Sequence, residues 1–313
     1  MGNGCSCFKS QERELLPTVG DSSFAIQPKD VNRATNNFSD EYRIGRGGFG
    51  EVYRADLDQH GHVAIKRIKK DLLSMEDERE CKLLSDYQHP NLVRFHTALV
   101  VDKHLCIVME LVANGSLRIM LKNEGGNLDY KIRLNICKGI AKGINYLHTA
   151  YSTHLVHRDI KTDNVLLTED YTAKICDFGL GKILCQKFNS ETVITSHICG
   201  TEAYLPPEAL QGKVSRRLDI YSYGVVLLEI LSGKSPLYNG SEKCRFLVGL
   251  FHLHYNHNRT AFPIDETANW PNDYKRGLME LAKWCLKTKY RKRPLMNQVI
   301  IELEKIFSRN VCA

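Results

Sequence analysis

One polar loop near the middle of the chain combines side chains that could act together on a phosphate. Asp159 is followed by Lys161 and then by Asn164, and Asp177 comes in a second loop beyond a short apolar run. A carboxylate can accept the proton of an attacking hydroxyl, and a lysine can neutralise a phosphate in transfer. Amide and carboxylate oxygens are ligands that magnesium prefers. These residue types and their spacing therefore indicate phosphoryl transfer from a nucleotide.

A glycine-rich segment from Gly45 to Gly50 has the pattern G-x-G-x-x-G. The pattern alone is weak, because dinucleotide-binding folds use it at the start of a helix. Here the next residues, Glu51 to Ala55, alternate as a strand does and lead to a turn at 59–62. The segment is therefore predicted to join two strands, with glycines that let the backbone approach nucleotide phosphates.

The returning strand, Val63 to Lys66, is predicted to place Ala64 and Lys66 on the same face. The small Ala64 could lie against an adenine while the Lys66 ammonium reaches the α and β phosphates. A lone lysine in a strand is more often a solvated edge residue. The glycine-rich segment directly before this strand favours the nucleotide role.

A helix is predicted from Ser74 to about Tyr87, because its first four residues resemble a capping box and its early acids suit the helix dipole. Glu80 lies on the inward stripe of this helix and could pair with Lys66. Glu76 lies on the same stripe and is the rival for that ion pair.

A continuous apolar run from Leu105 to Met109 predicts a buried strand. It enters a polar segment at residues 110–113, which we interpret as a hinge between two lobes. Backbone groups of Glu110 and Val112 would then face the edge of an adenine, and Met109 would lie at the back of the pocket.

Two long helices are predicted beyond the hinge. The first has apolar residues at helical spacing from Ile132 to Leu147 and leads directly into the loop that contains Asp159. The second runs from Asp219 to Gly233 and is apolar nearly all round, which is typical of a fully buried helix that ends at a glycine. Asp219 could hold the backbone of the catalytic loop or simply cap its own helix.

Length and composition limit the possible classes of protein. The 313 residues, 43% of them hydrophobic, can build one large domain or two of ordinary size. The longest apolar runs are too short to span a bilayer, and the first residues are too polar for a secretory signal. The net charge of +7 is not accompanied by aromatics in the basic run at 287–293 other than Tyr290, so no nucleic-acid partner is expected. Eleven scattered cysteines indicate free thiols in a reducing compartment.

Residues 1–27 are predicted to be a flexible leader with a lipid anchor. The first six residues fit the pattern for N-myristoylation at Gly2. One myristoyl chain binds a membrane weakly, so a second signal is needed, and Cys5 and Cys7 are placed to accept palmitate. The alternative is a short disordered end with ordinary cysteines.

Several motifs together resemble protein kinases, in the group that contains plant receptor-like kinases, Pelle and the interleukin-1-receptor-associated kinases. They are the His157–Asn164 loop with Asp177-Phe178-Gly179, Ala34–Ser39, Ile44–Tyr53, Asn114–Leu117, Gly200-Thr201 and Arg293–Met296. The resemblance implies an α+β, two-lobed fold with a small, mostly β N-lobe that has one helix and a larger, mostly α C-lobe. We expect a kinase domain over 28–313, with the N-lobe at about 40–110, the hinge at 110–113 and the C-lobe at 114–308.

The same resemblance implies the role of each site residue. Asp159 would position and deprotonate the acceptor hydroxyl, and Lys161 would neutralise the moving phosphate and indicates serine or threonine acceptors. Asn164 and Asp177 would hold Mg2+, for which Asp163 is a less suitable alternative. Lys66 and Glu80 would form the ion pair behind ATP, and this register favours Glu80 over Glu76. The expected contacts of ATP are Ile44, Gly45, Arg46, Gly47, Gly48, Phe49, Gly50, Glu51, Val52, Ala64, Lys66, Met109, Glu110, Val112 and Leu166.

The resemblance also implies regulation and partners. Arg158 beside the catalytic aspartate predicts control by a phosphate on the segment 179–206, where Thr192, Thr195 and Ser196 are candidates. Protein substrates, a receptor or adaptor complex and the inner leaflet of the plasma membrane are the expected partners, since the chain lacks room for a death domain and lacks a membrane-spanning segment. The alternative is a pseudokinase scaffold, although such proteins usually lose one of the residues retained here.

Overall fold

The computed structural model describes residues 26–47, 50–58, 60–69, 85–122, 128–151, 154–177, 182–184, 192–195, 199–237, 245–257 and 261–308. Its strands are β1 Arg43–Gly47, β2 Gly50–Leu57, β3 Gly61–Lys69, β4 Phe95–Val101, β5 His104–Glu110, β6 His154–Val156, β7 Val165–Leu167, β8 Ala173–Ile175, β9 Lys182–Leu184, β10 Val193–Ile194 and β11 Lys213–Val214. Its α-helices are α1 Pro28–Ala34, α2 Leu117–Lys122, α3 Tyr130–Thr149, α4 Arg216–Ser232, α5 Leu247–His257, α6 Asn272–Cys285 and α7 Met296–Ser308.

The N-lobe is built on a five-stranded antiparallel sheet in the order β1-β2-β3-β5-β4. Because side chains alternate along each strand, the sheet has two faces of different character. The inner face carries Lys66, which pairs with Val52 on β2 and with Ile107 on β5. The outer face carries a buried cluster that includes Tyr53 and Ile65. Strand alternation therefore places Lys66 and the apolar cluster around Tyr53 on opposite faces of the same sheet.

Helix α1 packs on the outer face against β2 and β4. Pro28 begins this helix, where the fixed φ of proline is tolerated and its missing N–H costs nothing. Val31 of α1 and Phe38 just beyond it are buried in the outer cluster. The predicted N-lobe had a single helix near residues 74–87, of which only Ser85 and Asp86 lie in the described part and are helical. The structure adds α1 to that lobe.

The C-lobe is mostly helical, and α3 and α4 form its centre. Ile136, Ile140, Ile144 and Leu147 of α3 are fully buried, as their helical spacing predicted. Helix α4 is buried along most of its length and ends at Gly233, whose left-handed φ of 66° suits glycine. The predicted two-lobed α+β fold is confirmed.

Short strands flank the polar loops that contain Asp159 and Asp177 and position them at the junction of the lobes. Strand β7 pairs with β8, and β6 pairs with β9. The segment after the hinge is bonded to β7, because Asn114 N–H donates to the Leu167 carbonyl and Leu167 N–H donates to the Gly115 carbonyl. Within the described ranges, we find no helix that combines the length and apolar character needed to cross a membrane.

Candidate active site

Asp159 is the centre of a hydrogen-bonded cluster at the start of the catalytic loop. Its side chain is 4% exposed. Lys161 Nζ lies 2.6 Å from Asp159 Oδ2, and Thr201 donates its hydroxyl to Asp159 Oδ1 at 2.8 Å. Lys161 also donates to the Thr201 hydroxyl at 3.0 Å. The three side chains therefore form a closed ring of short contacts.

The ionisation of Asp159 follows from these contacts. Burial would raise the pKa of Asp159, but the hydrogen bond and charge of Lys161, the hydroxyl of Thr201 and the nearby His157 outweigh it. The net pKa of Asp159 is lowered from its ordinary value. The carboxylate is therefore ionised at neutral pH and can accept a proton from a hydroxyl placed beside it.

Asn164 links the catalytic loop to the segment after β8 that carries Asp177. Its amide donates to the Asp159 carbonyl at 2.9 Å and to Asp159 Oδ2 at 3.0 Å. Its backbone carbonyl accepts the N–H of Cys176 at 3.0 Å. Asp177 follows Cys176 directly, so the two predicted magnesium ligands, Asn164 and Asp177, come from neighbouring segments.

Lys66 reaches from the N-lobe to Asp177 in the C-lobe. The Lys66 Nζ lies 3.1 Å from Asp177 Oδ1, and Lys66 is buried. Asp177 has a φ of 65°, which aspartate tolerates better than most residues. The structure thus brings together the ammonium and the carboxylate predicted for ATP and its metal. Glu80 and Glu76, the candidates for the second ion pair of Lys66, lie outside the described residues.

The inner face of the sheet collects the residues predicted to contact the nucleotide. Val52 pairs with Lys66, and Ala64 pairs with Met109, which places all four side chains on this face. Gly50 begins β2 with a φ of 122°, and a Cβ there would lie 2.4 Å from the Arg67 carbonyl oxygen. Only glycine can therefore hold this end of the lid against β3.

The hinge residue Glu110 joins the two lobes through its side chain. Its Oε1 accepts the Arg94 N–H at 2.6 Å and lies 2.8 Å from Lys174 Nζ on β8. The N–H of Glu110 donates to the Arg94 carbonyl at 3.0 Å. The predicted backbone contact of Glu110 with adenine must therefore use its carbonyl oxygen.

The remaining predicted nucleotide contacts differ in exposure. Ile44, directly before the glycine-rich segment, is 52% exposed, whereas Val112 in the hinge is buried. Leu166 pairs with Lys174 on β8 and forms a bridge with Ser116. Gly45, Arg46, Gly47 and Glu51 lie in β1 and β2, and Gly48 and Phe49 lie outside the described residues.

Asp219 holds the backbone of the catalytic loop from α4. Its two carboxylate oxygens accept the N–H groups of His157 and Arg158, both at 2.9 Å. His148 Nε2 on α3 lies 2.8 Å from Asp219 Oδ2. Arg158 has a φ of 72°, a costly conformation for a long side chain. The buried carboxylate supplies the hydrogen bonds that maintain it.

A second buried acid, Glu229, connects three further segments. It accepts hydrogen bonds from Thr162 at 3.0 Å, Tyr204 at 2.7 Å and Arg118 at 3.0 Å. Burial raises the pKa of Glu229 to about 7, although Tyr204, Arg118 and Thr162 all favour its ionised form. Glu229 therefore ties the catalytic loop, the segment after Thr201 and helix α2 to the same helix, α4.

The segment that follows the catalytic loop is anchored at both ends. Glu208 and Arg293 form a buried two-pronged ion pair, with N–O distances of 2.5 and 2.9 Å. Thr195 N–H donates to the Gly212 carbonyl at 2.8 Å, so β10 lies on β11. Thr192 and Thr195 are described and half-buried, whereas Ser196 lies outside the described residues.

Sequence reasoning did not assign Thr201 or Glu229 to the site. Thr201 lies 42 positions from Asp159, and no local periodicity relates the two residues. The Gly200-Thr201 motif contributed to the family resemblance but did not indicate a contact between Thr201 and Asp159. Glu229 interrupts the longest apolar run of α4, and a buried acid at such a place needs a hydrogen-bonding partner, which was the available signal.

Comparison with known proteins agrees with this geometry. A family model described as protein kinase domain matches residues 38–302. Calmodulin-binding receptor-like cytoplasmic kinase 2 of Arabidopsis thaliana is 35% identical over 86% of this chain and 68% of its own length. Cysteine-rich receptor-like protein kinase 10 of Oryza sativa subsp. japonica is 34% identical over 93% of this chain and 46% of its own length.

Eight curated relatives with similarity of this order are covered by the chain over 28% to 68% of their lengths. The similarity therefore concerns the kinase domain that these proteins share. With the match to the domain model and the residues gathered around Asp159, it shows that the chain belongs to the protein kinase family, among the receptor-like serine/threonine kinases of the Pelle type, which use ATP.

Proposed function

We propose that this protein transfers the γ-phosphate of ATP to serine and threonine hydroxyls of proteins, in a reaction that requires Mg2+. One observation carries the proposal: Lys66 of the N-lobe meets Asp177 at 3.1 Å, and Asp177 is joined through Cys176 and Asn164 to the cluster around Asp159. A nucleotide site and an acceptor site thus lie on one connected set of contacts. Phosphoryl transfer needs both.

The chain's own residues divide the work of the reaction. Lys66 would bind the α and β phosphates and hold ATP along the inner face of the sheet. Asp159, ionised and fixed by Thr201, would orient the acceptor hydroxyl and take its proton. Lys161 lies beside that carboxylate and would neutralise the phosphate oxygens as they approach the hydroxyl. Each of these roles uses a side chain whose contacts already hold it in place.

The residues present fit a magnesium ion. Asn164 and Asp177 offer amide and carboxylate oxygens, which are the donors that this hard cation prefers, from adjacent segments. Mg2+ held there would neutralise charge on the β and γ phosphates. Asp163, the alternative ligand, is exposed in the short 3-10 helix Thr162–Asn164 and is not needed for this set.

The proposed activity is tested with labelled ATP and a generic protein substrate. Wild-type protein should transfer label in the presence of Mg2+, and Lys66→Met and Asp159→Asn should each reduce transfer by at least about a hundredfold. Lys131→Met, at an exposed position on α3, is the matched control for loss of a lysine. Equal transfer by wild type and Lys66→Met would contradict the proposed kinase activity and favour the alternative of a pseudokinase scaffold.

We also propose that phosphorylation of the segment before Thr201 controls the enzyme. Arg158 is buried next to Asp159, and the candidate acceptors Thr192 and Thr195 flank β10. A phosphate there would supply an anion for this basic side chain. Mass spectrometry after incubation with ATP should find phosphate at Thr192, Thr195 or Ser196 in wild type but not in Asp159→Asn. Absence of phosphate in active wild-type protein would contradict this form of control.

Finally, we propose that the protein acts at the cytoplasmic face of the plasma membrane, in a receptor or adaptor complex. The support is the pattern at Gly2 with the neighbouring Cys5 and Cys7, all outside the described residues. Labelling with a myristate analogue in cells should be lost in Gly2→Ala, and membrane partition should fall in both Gly2→Ala and the double variant Cys5→Ser/Cys7→Ser. Unchanged labelling of Gly2→Ala would end the proposal.

A further inference from the structure

Three successive residues between α1 and β1 adopt a backbone conformation that side chains disfavour. Asn36, Asn37 and Phe38 have φ values of 47°, 54° and 58°. Asparagine tolerates this left-handed region, but a phenylalanine there is uncommon, and a run of three residues more so. Such a conformation persists only where the surrounding structure over-determines it, and it points to a local requirement.

Hydrogen bonds from α1 hold this left-handed turn, residues 36–38. Thr35 is completely buried, and its hydroxyl donates to the Val31 carbonyl at 2.8 Å and accepts the Phe38 N–H at 3.1 Å. Asn37 N–H donates to the Asn32 carbonyl at 2.8 Å. Helix α1 therefore sets the direction in which the Phe38 side chain leaves the backbone.

The turn directs Phe38 onto the outer face of the sheet. Its ring meets the Tyr53 ring edge to face, with centroids 5.2 Å apart and planes at 71°. The guanidinium of Arg67 lies over the Phe38 ring, 4.3 Å from its centroid. These are favourable geometries for an aromatic pair and for a cation over a ring. Phe38 is buried and closes the cluster at this point.

Both partners of Phe38 lie directly behind the nucleotide site. Arg67 follows Lys66 on β3, and Tyr53 follows Val52 on β2, so the side chains leave opposite faces of the same backbone. The Tyr53 hydroxyl donates to Glu51 Oε2 at 2.9 Å, and Arg43 of β1 donates to Glu51 Oε1 at 3.4 Å. The contacts of Phe38 thus continue into the two strands, β1 and β2, that join at the glycine-rich lid.

We propose that Phe38 is a positioning residue for nucleotide binding: by packing on the outer face of β2 and β3, it fixes these two strands and with them the position of Lys66 on the opposite face. The inference rests on the proposed nucleotide site. Because Phe38 is held by α1, the segment before the sheet becomes part of the machinery that determines affinity for ATP. Phe38 itself touches no reacting atom, so its effect must act through Tyr53 and Arg67.

The test compares steady-state kinetics of Phe38→Ala with those of Leu57→Ala. Leu57 is buried in the same outer cluster but lies at the far end of β2, opposite Gly61. Phe38→Ala should raise KM for ATP by about three- to tenfold, the size expected for loss of one aromatic pair, and leave KM for the protein substrate unchanged. Leu57→Ala should lower Tm without this change in KM. Phe38→Tyr, which keeps the ring, should restore KM for ATP.

The outcomes separate the inference from the proposed function. Equal KM values for ATP in wild type and Phe38→Ala, or equal rises in Phe38→Ala and Leu57→Ala, would overturn the positioning role. Should Phe38→Ala fail to fold, Arg67→Met decides, because it removes the cation over the ring and should raise KM for ATP in the same direction. Full activity of Lys66→Met would instead remove the nucleotide site on which the inference depends.

Discussion

Thr201 donates its hydroxyl to Oδ1 of Asp159 at 2.8 Å and its backbone N–H to the same oxygen at 3.1 Å. One carboxylate oxygen is thereby occupied by a residue from a segment 42 positions away along the chain. Lys161 and Asn164 hold the other oxygen. The orientation of Asp159 is therefore determined jointly by its own loop and by the segment that precedes Glu208.

Removing the Thr201 hydroxyl should misorient Asp159. Thr201→Ala is expected to lower kcat by about ten- to a hundredfold, because a catalytic group displaced by a fraction of an ångström loses most of its advantage. Thr201→Ser keeps the hydroxyl and should retain most of the activity. Steady-state kinetics with a protein substrate measure the effect. Equal activity of the alanine and serine variants would show that the contact does not orient the carboxylate.

Replacing Glu229 should change how stability depends on pH. Its pKa in the folded protein, about 7, is above the ordinary value of 4.5, so its contribution is fully present below pH 4.5 and is lost as pH rises through 7. Glu229→Gln cannot ionise, and its free energy of unfolding should fall less between pH 5 and 8 than that of wild type. The difference in this change should be up to about 3 kcal/mol.

Urea denaturation at pH 5, 6, 7 and 8 measures that difference. Glu302, partly exposed on α7, provides the matched control, since Glu302→Gln should follow the wild-type curve. A Glu229→Gln curve parallel to that of wild type would mean that the buried acid does not titrate in this range. The Arg118 guanidinium would then dominate over burial.

Replacing Arg293 alone should lower the free energy of unfolding more than replacing both partners of the Glu208–Arg293 ion pair. Arg293 is buried and also donates to the backbone carbonyl of Lys287 at 2.7 Å. Arg293→Met leaves Glu208 as an unpaired buried charge, and the free energy of unfolding should fall by about 3–5 kcal/mol. The double variant Glu208→Leu/Arg293→Met should be more stable than the single one. A double variant with the summed losses of both single variants would contradict this.

Gly212 should be essential for the position of β10. Its φ is 71°, and a Cβ would lie 2.1 Å from the Thr195 carbonyl oxygen. Gly212→Ala should therefore lower the free energy of unfolding by more than about 2 kcal/mol and reduce phosphorylation near Thr195. Gly61→Ala is a matched control, because Gly61 has a φ of 64° with nothing within 4 Å of its Cβ position. Thermal melts and mass spectrometry compare the two, and equal effects would exclude the contact as the cause.

The sequence was most informative where function depends on short spacing. Asp159, Lys161 and Asn164 share one loop, so their offsets alone predict that they lie together. The alternation of Ala64 and Lys66 likewise predicts a common face, since strand geometry has a period of two. The long apolar patterns of α3 and α4 predict buried helices for the same kind of reason.

Contacts between distant segments could not be predicted in this way. Nothing near Thr201 indicates that it meets Asp159, and the side chain of Glu110 gave no sign of its contact with Lys174. The left-handed turn before β1 was also unexpected, because Asn36 and Asn37 favour such a turn but Phe38 opposes it. In each case the three-dimensional arrangement, rather than a local preference, selects the conformation.

The packing of α1 and Phe38 on the sheet has a practical consequence for N-terminal truncation of this protein. A truncated chain that starts at residue 40 would expose an apolar surface formed by Ala55, Val63, Val101 and Val108. Proteins with an exposed apolar patch tend to self-associate, so the truncated protein should aggregate under conditions in which the full-length chain stays monodisperse. Helix α1 is thus required to keep the protein soluble and monodisperse, although the matched family region begins after it.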